Sequence, residues 1–419
     1  MSGTMKTLPF AVLLKWILKE YAEQQSIFGI HRSLFYTPKK DSPYATADMF
    51  GQYLATPIGP AAGPHTQLTQ NIISAWLSGS RLIELKTVQV MDDLEVAKPC
   101  IDMEDEGYNV EWSQELQLEQ SANEYIKAWV LIHVLHRLLG FEEKVPLGTI
   151  FNFSIGYNME GIKSPKMVRF MSQIDDASTE IAAIQAILKT EFPQFAGLEI
   201  PSQLSNNVTL STMHGCPPDE IEQLARYLLV EKGLHTTVKL NPTLLGKNKV
   251  ISILHDHLGY HEIQIPDAVF EHDLQYDRAV EMIEKLKLVS ADRNLTFSIK
   301  LSNTLAMANH KGVIPGDEMY MSGRALYPIT INLFHKLAQD FKGDINVSYS
   351  AGADALNLTT ILAAGAKSVN VASDLLKPGG YSRLLQYLEN LAEDMSARNA
   401  SSLPELALNK LSNLEQAAA

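Results

Sequence analysis

The sequence predicts an α/β protein folded as a (β/α)8 barrel, or TIM barrel, preceded by a helical arm. Short segments rich in apolar or β-branched residues alternate with helical patterns, and eight such strand–helix units follow one another. No Gly/Ser-rich linker divides these units, so we assign them to one catalytic domain. An open, doubly wound sheet remains an alternative, because periodicity alone does not show that a sheet closes.

The predicted strands are short, and most of them end at Gly, Pro, Asn or Ser. They cover residues 57–62, 82–88, 149–155, 208–213, 236–240, 297–301, 345–350 and 368–372. Helical patterns lie between them, for example at residues 220–231, 276–288, 327–341, 355–364 and 382–393.

The chain divides into a helical arm at residues 1–55, the barrel at 56–395, and the start of a linker or tail at 396–419. In the arm, apolar side chains recur at helical spacing and predict an amphipathic helix packed on the barrel: Phe10, Leu13, Leu14, Ile17 and Leu18. Charged residues interrupt this apolar run and no small-residue cleavage site follows, so it is not interpreted as a signal peptide.

Two long insertions follow predicted strands, at residues 89–148 and 242–275. Both are expected at the carboxyl ends of the strands, where such barrels carry their chemistry. The first contains an acidic run, 102–106, interpreted as an exposed loop that acts as a lid or docking edge. The second contains His255, His257 and His261, and we expect a solvated loop there and no metal site, since Gly259 weakens a helix that would align two of them.

Composition narrows the functional classes. The 419 residues include 35 Lys and Arg against 48 Asp and Glu, which gives a net charge of −13 and argues against a nucleic-acid-binding protein. The only cysteines, Cys100 and Cys216, are too few for a disulfide-stapled fold or for an iron–sulfur cluster built by this chain alone. No segment approaches about 20 uninterrupted apolar residues, so we expect no membrane span and a cytoplasmic protein.

Two features of the predicted strand ends indicate a ligand site. Ala61, Ala62 and Gly63 have almost no side chains, so a flat ring can lie against the backbone there, although a tight turn alone would explain them. Lys86, beside Thr87, and Lys239 each lie near the end of a predicted strand. Two lysines in one barrel mouth favour an electron-rich ligand, since buried cations require partners.

Cys216 follows the fourth predicted strand in a loop, before a helix entrance at Pro217 and Pro218. A thiol near its reference pKa of about 8.5 is suited to exchange a proton with a substrate carbon. The helix dipole would favour the thiolate, while Asp219 and Glu220 would oppose it. We interpret Cys216 as a candidate catalytic residue, with a buried structural thiol as the alternative; Cys100 is assigned to structure.

Turns rich in small residues accompany the last strands: Ser322-Gly323, Ala351-Gly352 and Ala372-Ser373. Such turns expose backbone N–H groups, which bind a phosphate dianion. Arg324 would add a charge-assisted contact, or else begin a solvated helix.

These motifs resemble the FMN barrel of the dihydroorotate and dihydropyrimidine dehydrogenases over residues 56–391. The run at 209–218 and the arm are similar to the N-terminal part of large bacterial iron–sulfur flavoproteins described as selenate reductase subunits. The resemblance rests on Ala61-Ala-Gly, Lys86-Thr87, Ser154-Ile-Gly-Tyr-Asn158, His214-Gly-Cys216, Val238-Lys239-Leu, Ser302-Asn-Thr304, Ser322-Gly323, Ala351-Gly352 and Ala372-Ser373.

The resemblance implies FMN as the cofactor, held by the small residues, Lys86, Thr87 and Lys239 at its ring and by the late turns at its phosphate. It implies that Cys216 donates or accepts a proton and that Asn158, Asn303 and Thr304 face the substrate. Thr209 stands where the pyrimidine enzymes carry Asn, which argues against a pyrimidine. Electrons would come from an iron–sulfur, FAD and NAD(P)H module on the same longer chain or on a partner subunit.

The resulting hypothesis is an FMN-dependent oxidoreductase that transfers hydride between flavin and an unsaturated, heterocyclic substrate. Two alternatives remain at this point. One is a phosphate-binding aldolase or isomerase without flavin, which would use Lys86 or Lys239 as a Schiff-base amine. The other is a non-catalytic electron-relay domain of a larger redox complex.

Overall fold

The computed structural model describes residues 5–91, 97–110, 115–212 and 216–419, and in it eight parallel strands form one sheet. In chain order the strands are β1 (Ile58–Pro60), β2 (Leu82–Glu84), β3 (Ile150–Ile155), β4 (Asn207–Ser211), β5 (His235–Leu240), β6 (Phe297–Leu301), β7 (Val347–Tyr349) and β8 (Ser368–Val371). All eight predicted strands are present with ends shifted by a few residues, and predicted residue 213 lies outside the described residues.

The sheet closes into a barrel. Its strand order is β1-β8-β7-β6-β5-β4-β3-β2, so that only β1 and β2 are left to meet. The N–H of Arg81, just before β2, donates to the carbonyl of Ile58 in β1 at 3.0 Å. Gly59 allows this approach, since a Cβ on it would lie 1.7 Å from the Leu82 carbonyl oxygen. The predicted (β/α)8 barrel is therefore confirmed, and the open sheet is excluded.

Helices follow every strand and cover the barrel. They are Thr69–Leu77 after β1; Leu118–Leu138 after β2; Met159–Ile162, Pro165–Asp175 and Ser178–Glu191 after β3; Pro218–Val230 after β4; Lys247–Ser252, Asp267–His272 and Tyr276–Ala291 after β5; Leu326–Asp340 after β6; Leu358–Ala363 after β7; and Arg383–Ala397 after β8. None of the helices among the described residues is long and apolar enough to cross a membrane.

The core lies between the strands and these helices. Side chains such as Ile83, Phe151, Val238 and Ile299 are fully buried there. Burial of one such side chain contributes about 1.5–3 kcal/mol, so the layer between sheet and helices stabilises the barrel on which the loops are mounted.

The N-terminal arm forms the predicted helix, Phe10–Gln24, and buries Phe10, Leu13, Leu14 and Ile17. Its Glu20 carboxylate accepts hydrogen bonds from the N–H groups of Phe28 and Gly29, at 3.0 and 2.6 Å. These two bonds hold a small hairpin, Ser26–Ile27 with Ile30–His31, against the helix. A second hairpin, Thr46–Met49 with Gln52–Leu54, leads into β1.

The segment after residue 396, where a linker or tail is expected, is helical and packs on the barrel. Its helices are Leu403–Leu406 and Lys410–Ala418. Leu406 and Leu414 are buried, and the Asn413 side chain donates to the carbonyl of Ala363 at 2.9 Å. The polar composition of this stretch predicts a linker, but two of its leucines are spaced so that each is buried by a short helix packed on the barrel.

A four-stranded antiparallel sheet, here called the rim sheet, joins the two sides of the barrel mouth. Its strands lie in the order Leu305–Ala308, Glu318–Gly323, Glu106–Asn109 and Ile101–Met103. The acidic run 102–106, expected as an exposed loop, therefore forms most of a hairpin within this sheet.

The histidine group of the second insertion lies near a short π-helical turn, Ile253–His257. His255 is tied to the backbone through its Nε2, which lies 2.8 Å from the carbonyl oxygen of Ile263, and its ring centroid is 5.9 Å from that of His261. Among the described residues no three metal-ligating side chains cluster anywhere in the chain.

Candidate functional site

Two adjoining cavities open at the carboxyl ends of the barrel strands. The main cavity has about 1000 Å³ of space, including the part that opens to solvent, and the side cavity has about 640 Å³. They share several wall residues: Ala62, Lys239, Asn303, Thr304, Ser322, Ala372 and Ser373. Because they share these residues, the two cavities adjoin at the carboxyl ends of the strands, where TIM barrels bind their ligands.

Most of the predicted site residues line these cavities. The main cavity brings together Ala62, Gly63, Lys86, Thr87, Lys239, Asn303, Thr304, Ser322, Ala372 and Ser373. The side cavity adds Ala61, Gly323, Ala351 and Gly352. Cys216 and Asn158 line neither cavity. Residues from strand ends far apart in the sequence thus meet because a barrel brings all its strand ends to one face.

Asn158 has a structural task in this arrangement. It lies at the N-terminal cap of the helix Met159–Ile162, where its side-chain oxygen accepts the N–H of Gly161 at 2.9 Å. The substrate contact implied for Asn158 by the family resemblance therefore has no geometric support here, whereas Asn303 and Thr304 lie in the wall of the main cavity.

The two predicted lysines face the same space. Lys86 lies just past β2 and Lys239 lies in β5, and both line the main cavity. Burial, and secondarily the nearby Lys239 ammonium, lower the pKa of Lys86 to about 8. Glu115 and Glu84 act in the opposite direction and favour the charged form of Lys86.

A third lysine, not identified from the sequence, lies behind the cavity wall. Lys300 in β6 pairs with Glu84 of β2, with 2.7 Å between its Nζ and the Glu84 Oε2. A charged residue inside an otherwise apolar strand was the available signal, because such residues are almost never fully buried unless they are paired. Among the described residues, three ammonium groups thus face two carboxylates in this part of a chain whose net charge is −13.

The outer wall of the main cavity comes from the rim sheet. Ile101, Met103, Gly107, Tyr108 and Tyr320 line it. A Cβ on Gly107 would lie 2.6 Å from the Ser322 Oγ, so glycine allows the two strands to close over the cavity. Sequence reasoning missed this wall, because the acidic run masks a strand that pairs with residues more than two hundred positions away.

His65 is a second residue that sequence reasoning missed. It lies two residues past Gly63, the last of the small residues that follow β1. His65 lines the main cavity and is almost completely buried. Burial lowers the pKa of His65 to about 4, so its ring is neutral at physiological pH.

The side cavity is bounded by the predicted turns. Ala351 and Gly352 have positive φ angles of 66° and 79°, and a Cβ on Gly352 would lie 2.7 Å from the Tyr327 nitrogen. The hydroxyls of Ser322 and Ser373 lie 2.7 Å apart across the boundary of the two cavities. This close backbone packing is possible only with small residues at these positions.

Carboxylates also border the side cavity, and each has a partner. Asp105, in the turn of the rim-sheet hairpin, pairs with Arg324 and, at 3.1 Å, with Lys377. Asp374 accepts hydrogen bonds from Arg383 and from the Tyr387 hydroxyl, the latter at 2.8 Å. Arg324, for which the sequence predicts a contact with a phosphate, therefore forms an ion pair with Asp105 in this structure.

Cys216 packs against the hydrophobic core at the entrance of the helix Pro218–Val230. Burial, and then the nearby Glu220 carboxylate, raise the pKa of the Cys216 thiol to about 11. The effect of Glu220 expected from the sequence is present, and burial, which sequence reasoning did not consider, is the larger cause. The other residues of the motif His214-Gly-Cys216, on which the family resemblance partly rests, fall in the segment 213–215, which lies outside the described residues.

Comparisons with known proteins agree with this architecture. The chain is 46% identical over 410 residues to "Putative oxidoreductase YgfK" of Escherichia coli (strain K12), and to the protein of the same name from Escherichia coli O157:H7. Each alignment covers 93% of this chain and 39% of the relative, so the chain spans about two fifths of the relatives' length.

Among solved structures, ligand-free type DHODH from Eimeria tenella has a similar fold. The TM-score is 0.58 at 12% sequence identity, with 95% of this chain and 97% of that chain covered. Residues 28–419 match the family model described as "Oxidoreductase YgfK, N-terminal TIM-barrel domain". With the whole barrel matched, this chain belongs to the family of YgfK N-terminal TIM-barrel domains.

Proposed function

We propose that this chain is the FMN-binding domain of an oxidoreductase that reduces or oxidises a C=C or C=N bond of an unsaturated, heterocyclic substrate. The observation that carries the proposal is the convergence of Lys86 and Lys239 on one cavity, beside the small residues Ala62 and Gly63. The YgfK family and the dihydroorotate dehydrogenase-like fold support an oxidoreductase.

The residues present fit FMN. Ala62 and Gly63 place little or no side chain in the wall of the main cavity, and Gly107 lets the rim-sheet strands pack closely at its outer wall, so a flat ring has space there. The lysine cluster suits the electron-rich edge of such a ring. The side cavity, with its turns at Gly323, Ala351 and Gly352, has room beside the main cavity for a phosphate tail.

FMN, when bound, supplies hydride and electron transfer, which no protein side chain performs. Lys86 and Lys239 would hold the ring and offset negative charge on it. Asn303 and Thr304 would orient the substrate in the main cavity. Cys216, protonated at neutral pH, would give a proton to the substrate carbon next to the one that receives hydride, so that the double bond becomes single. Because Cys216 lines neither cavity in this structure, this role requires its thiol to reach the main cavity when substrate binds.

A source of electrons is required in addition to this domain. The two cysteines do not suffice for an iron–sulfur cluster, and the related proteins extend well beyond the matched part. We propose that an iron–sulfur, FAD and NAD(P)H module, on a longer chain or on a partner subunit, delivers them.

Cofactor binding is the first test. The purified chain is titrated with FMN and with riboflavin, and binding is followed by the quenching of flavin fluorescence. A yellow complex with FMN, tighter than that with riboflavin, is expected. A protein that neither flavin colours would overturn the proposal.

Substrate screening is the second test. The FMN complex is reduced without oxygen, and unsaturated nitrogen heterocycles, small enones and oxyanions, including selenate, are screened for flavin reoxidation. A heterocycle is expected to reoxidise the flavin, and Cys216→Ala is expected to slow that reaction. Equal rates with a compound that reoxidises the flavin would contradict the role of Cys216, and no reoxidation by any compound would instead indicate a domain that relays electrons.

The low pKa of Lys86, about 8, favours one other function, an aldolase or isomerase that uses a neutral lysine amine as a Schiff-base nucleophile. Borohydride in the presence of phosphorylated aldehydes and ketones would trap such an adduct. A covalent adduct on Lys86 in a colourless protein would favour this second function over the first.

A further inference from the structure

The Glu84–Lys300 pair is buried deeper than the two cavity lysines, Lys86 and Lys239, that the proposed function uses. Both side chains are only 1% exposed. The Lys300 Nζ lies 2.7 Å from the Glu84 Oε2 and 2.7 Å from the Asn370 Oδ1. Burial alone would raise the pKa of Glu84, but Lys300 and then Lys239 outweigh it and lower this pKa overall, so the carboxylate stays charged.

This pair occupies an interior layer of the barrel. Glu84, Lys300 and Asn370 come from β2, β6 and β8, and alternate strands of a TIM barrel contribute the side chains of one layer. Such layers are normally filled by branched apolar residues. Replacing a buried ion pair by apolar residues is often neutral or stabilising, so stability alone does not explain its presence.

The pair is linked directly to the cavity walls. The same Glu84 oxygen that binds Lys300 accepts the N–H of Ala62 at 3.0 Å, and Ala62 lines both cavities. Asn370 lines the side cavity, and its amide group also donates to the carbonyl of Leu82 at 3.2 Å. Glu84 therefore fixes the segment against which a flat ring would lie.

The pair also acts on the charge of the main cavity. Lys300 and Lys239 are direct partners in the register of β6 and β5, so their side chains project to the same side of the sheet. Lys239 lines the main cavity and interacts electrostatically with both Glu84 and Lys300. Any change in the net charge of the pair changes the electrostatic potential at a ligand in the main cavity. Because the pair is buried, solvent screens this effect little.

We propose that the Glu84–Lys300 pair is a positioning device that sets the reduction potential of the flavin bound above it. Glu84 limits how far the lysine cluster favours the reduced, negatively charged form, and it anchors Ala62 beneath the ring. This inference rests on the proposed function, and it assigns to the pair neither substrate contact nor proton transfer.

The test measures the midpoint potential of bound FMN by equilibration with reference dyes, together with the Kd of oxidised FMN. Glu84→Gln leaves Lys300 uncompensated and is expected to raise the potential. Lys300→Met leaves Glu84 uncompensated and is expected to lower it. A tenfold change in the ratio of affinities for reduced and oxidised flavin corresponds to about 30 mV for two electrons, and we expect at least that in each direction.

The double variant, Glu84→Gln with Lys300→Met, removes both charges and is expected to return the potential toward that of the unmodified protein. Glu222→Gln is the matched control. It removes a carboxylate that pairs with Arg278 in the helical layer, at 2.6 Å, and should leave the potential unchanged. If Glu84→Gln does not fold, Asn370→Asp adds one negative charge next to Lys300 and should lower the potential.

Potentials that stay within error of the unmodified protein, in variants that fold and bind FMN, would overturn the inference and leave the proposed function intact. A shift of the same sign for Glu84→Gln and Lys300→Met would also overturn it, because a merely structural effect has no charge-dependent sign. Failure of the unmodified chain to bind FMN would reject the proposed function and this inference together.

Discussion

The charges beneath the main cavity and those at the edge of the side cavity differ in how far water reaches them. Glu84 and Lys300 are each 1% exposed, whereas Asp105 and Arg324 are 58% and 54% exposed. Coulomb interactions weaken severalfold between a buried and a hydrated site. In the proposed FMN site, the ring end is therefore electrostatically preset by the barrel, and the phosphate end is bordered by contacts that salt and ligand can exchange.

The largest effect on FMN affinity should come from removing Lys239, whose side chain lines both cavities. Lys239→Ala is expected to weaken FMN binding about 10- to 100-fold, since hydrogen bonds to charged groups contribute about 1.5–3 kcal/mol. The Kd from fluorescence titration measures this. Lys285→Ala removes a cation that pairs with Glu281 at 2.6 Å on the helical surface, and it should leave the Kd unchanged. Equal affinities for all three proteins would contradict the preset ring end.

Backbone packing at the phosphate end gives the next largest effect. Gly352→Ala places a Cβ 2.7 Å from the Tyr327 nitrogen at a positive φ, and such overpacking costs about 1–3 kcal/mol of unfolding free energy. Gly233→Ala is the control, because Gly233 has a similar φ of 66° but open space around it. Urea unfolding should show the larger loss of unfolding free energy for Gly352→Ala. That variant should also lose more affinity for FMN than for riboflavin. Equal stability losses would show that strain, and not close packing, governs this turn.

A pH effect is expected at Cys216, where the thiol pKa is about 11. Since burial raises this pKa, the thiol is protonated at neutral pH and becomes reactive only as the pH approaches 11. In a Cys100→Ser background, alkylation by iodoacetamide at pH 8 should be at least about tenfold slower than for the urea-unfolded chain, because the much smaller thiolate fraction is only partly offset by the greater nucleophilicity of a more basic thiolate. Mass spectrometry measures both rates. An alkylation midpoint at or below about 8.5 would contradict the protonated state that the proposed proton transfer requires.

The strands and the residues at their ends were predictable because each carries a local signal. An apolar segment closed by Gly, Pro or Asn marks a strand, and a lysine at its end marks the mouth of a barrel. This reasoning located Lys86, Lys239 and the turn at Ala351 and Gly352, all of which line the cavities.

The parts that sequence reasoning missed depend on pairs that are distant in the chain. Glu84 and Lys300 are separated by 216 positions, and neither residue identifies its partner. The rim sheet likewise pairs Gly107, in the insertion 89–148, with Ser322, in the segment between β6 and β7. Asn158 differs in another way, because a motif predicts a substrate contact for it while the structure uses its side chain as a helix cap.

The smallest effect is expected at the exposed edge of the side cavity. Asp105→Asn removes a carboxylate that binds Arg324 and Lys377 at the edge of the side cavity, so both cations become available to a phosphate. Exposed ion pairs contribute about 0.2–1 kcal/mol, so FMN binding should tighten by no more than about fivefold, and less at high salt. Riboflavin, which lacks the phosphate, should bind both proteins equally. Asp344→Asn, which breaks an exposed pair with Lys287 ahead of β7, is the control and should change neither affinity. Equal tightening of FMN and riboflavin would show that Asp105 acts on the ring, and the distinction between a preset ring end and an exchangeable phosphate end would then fail.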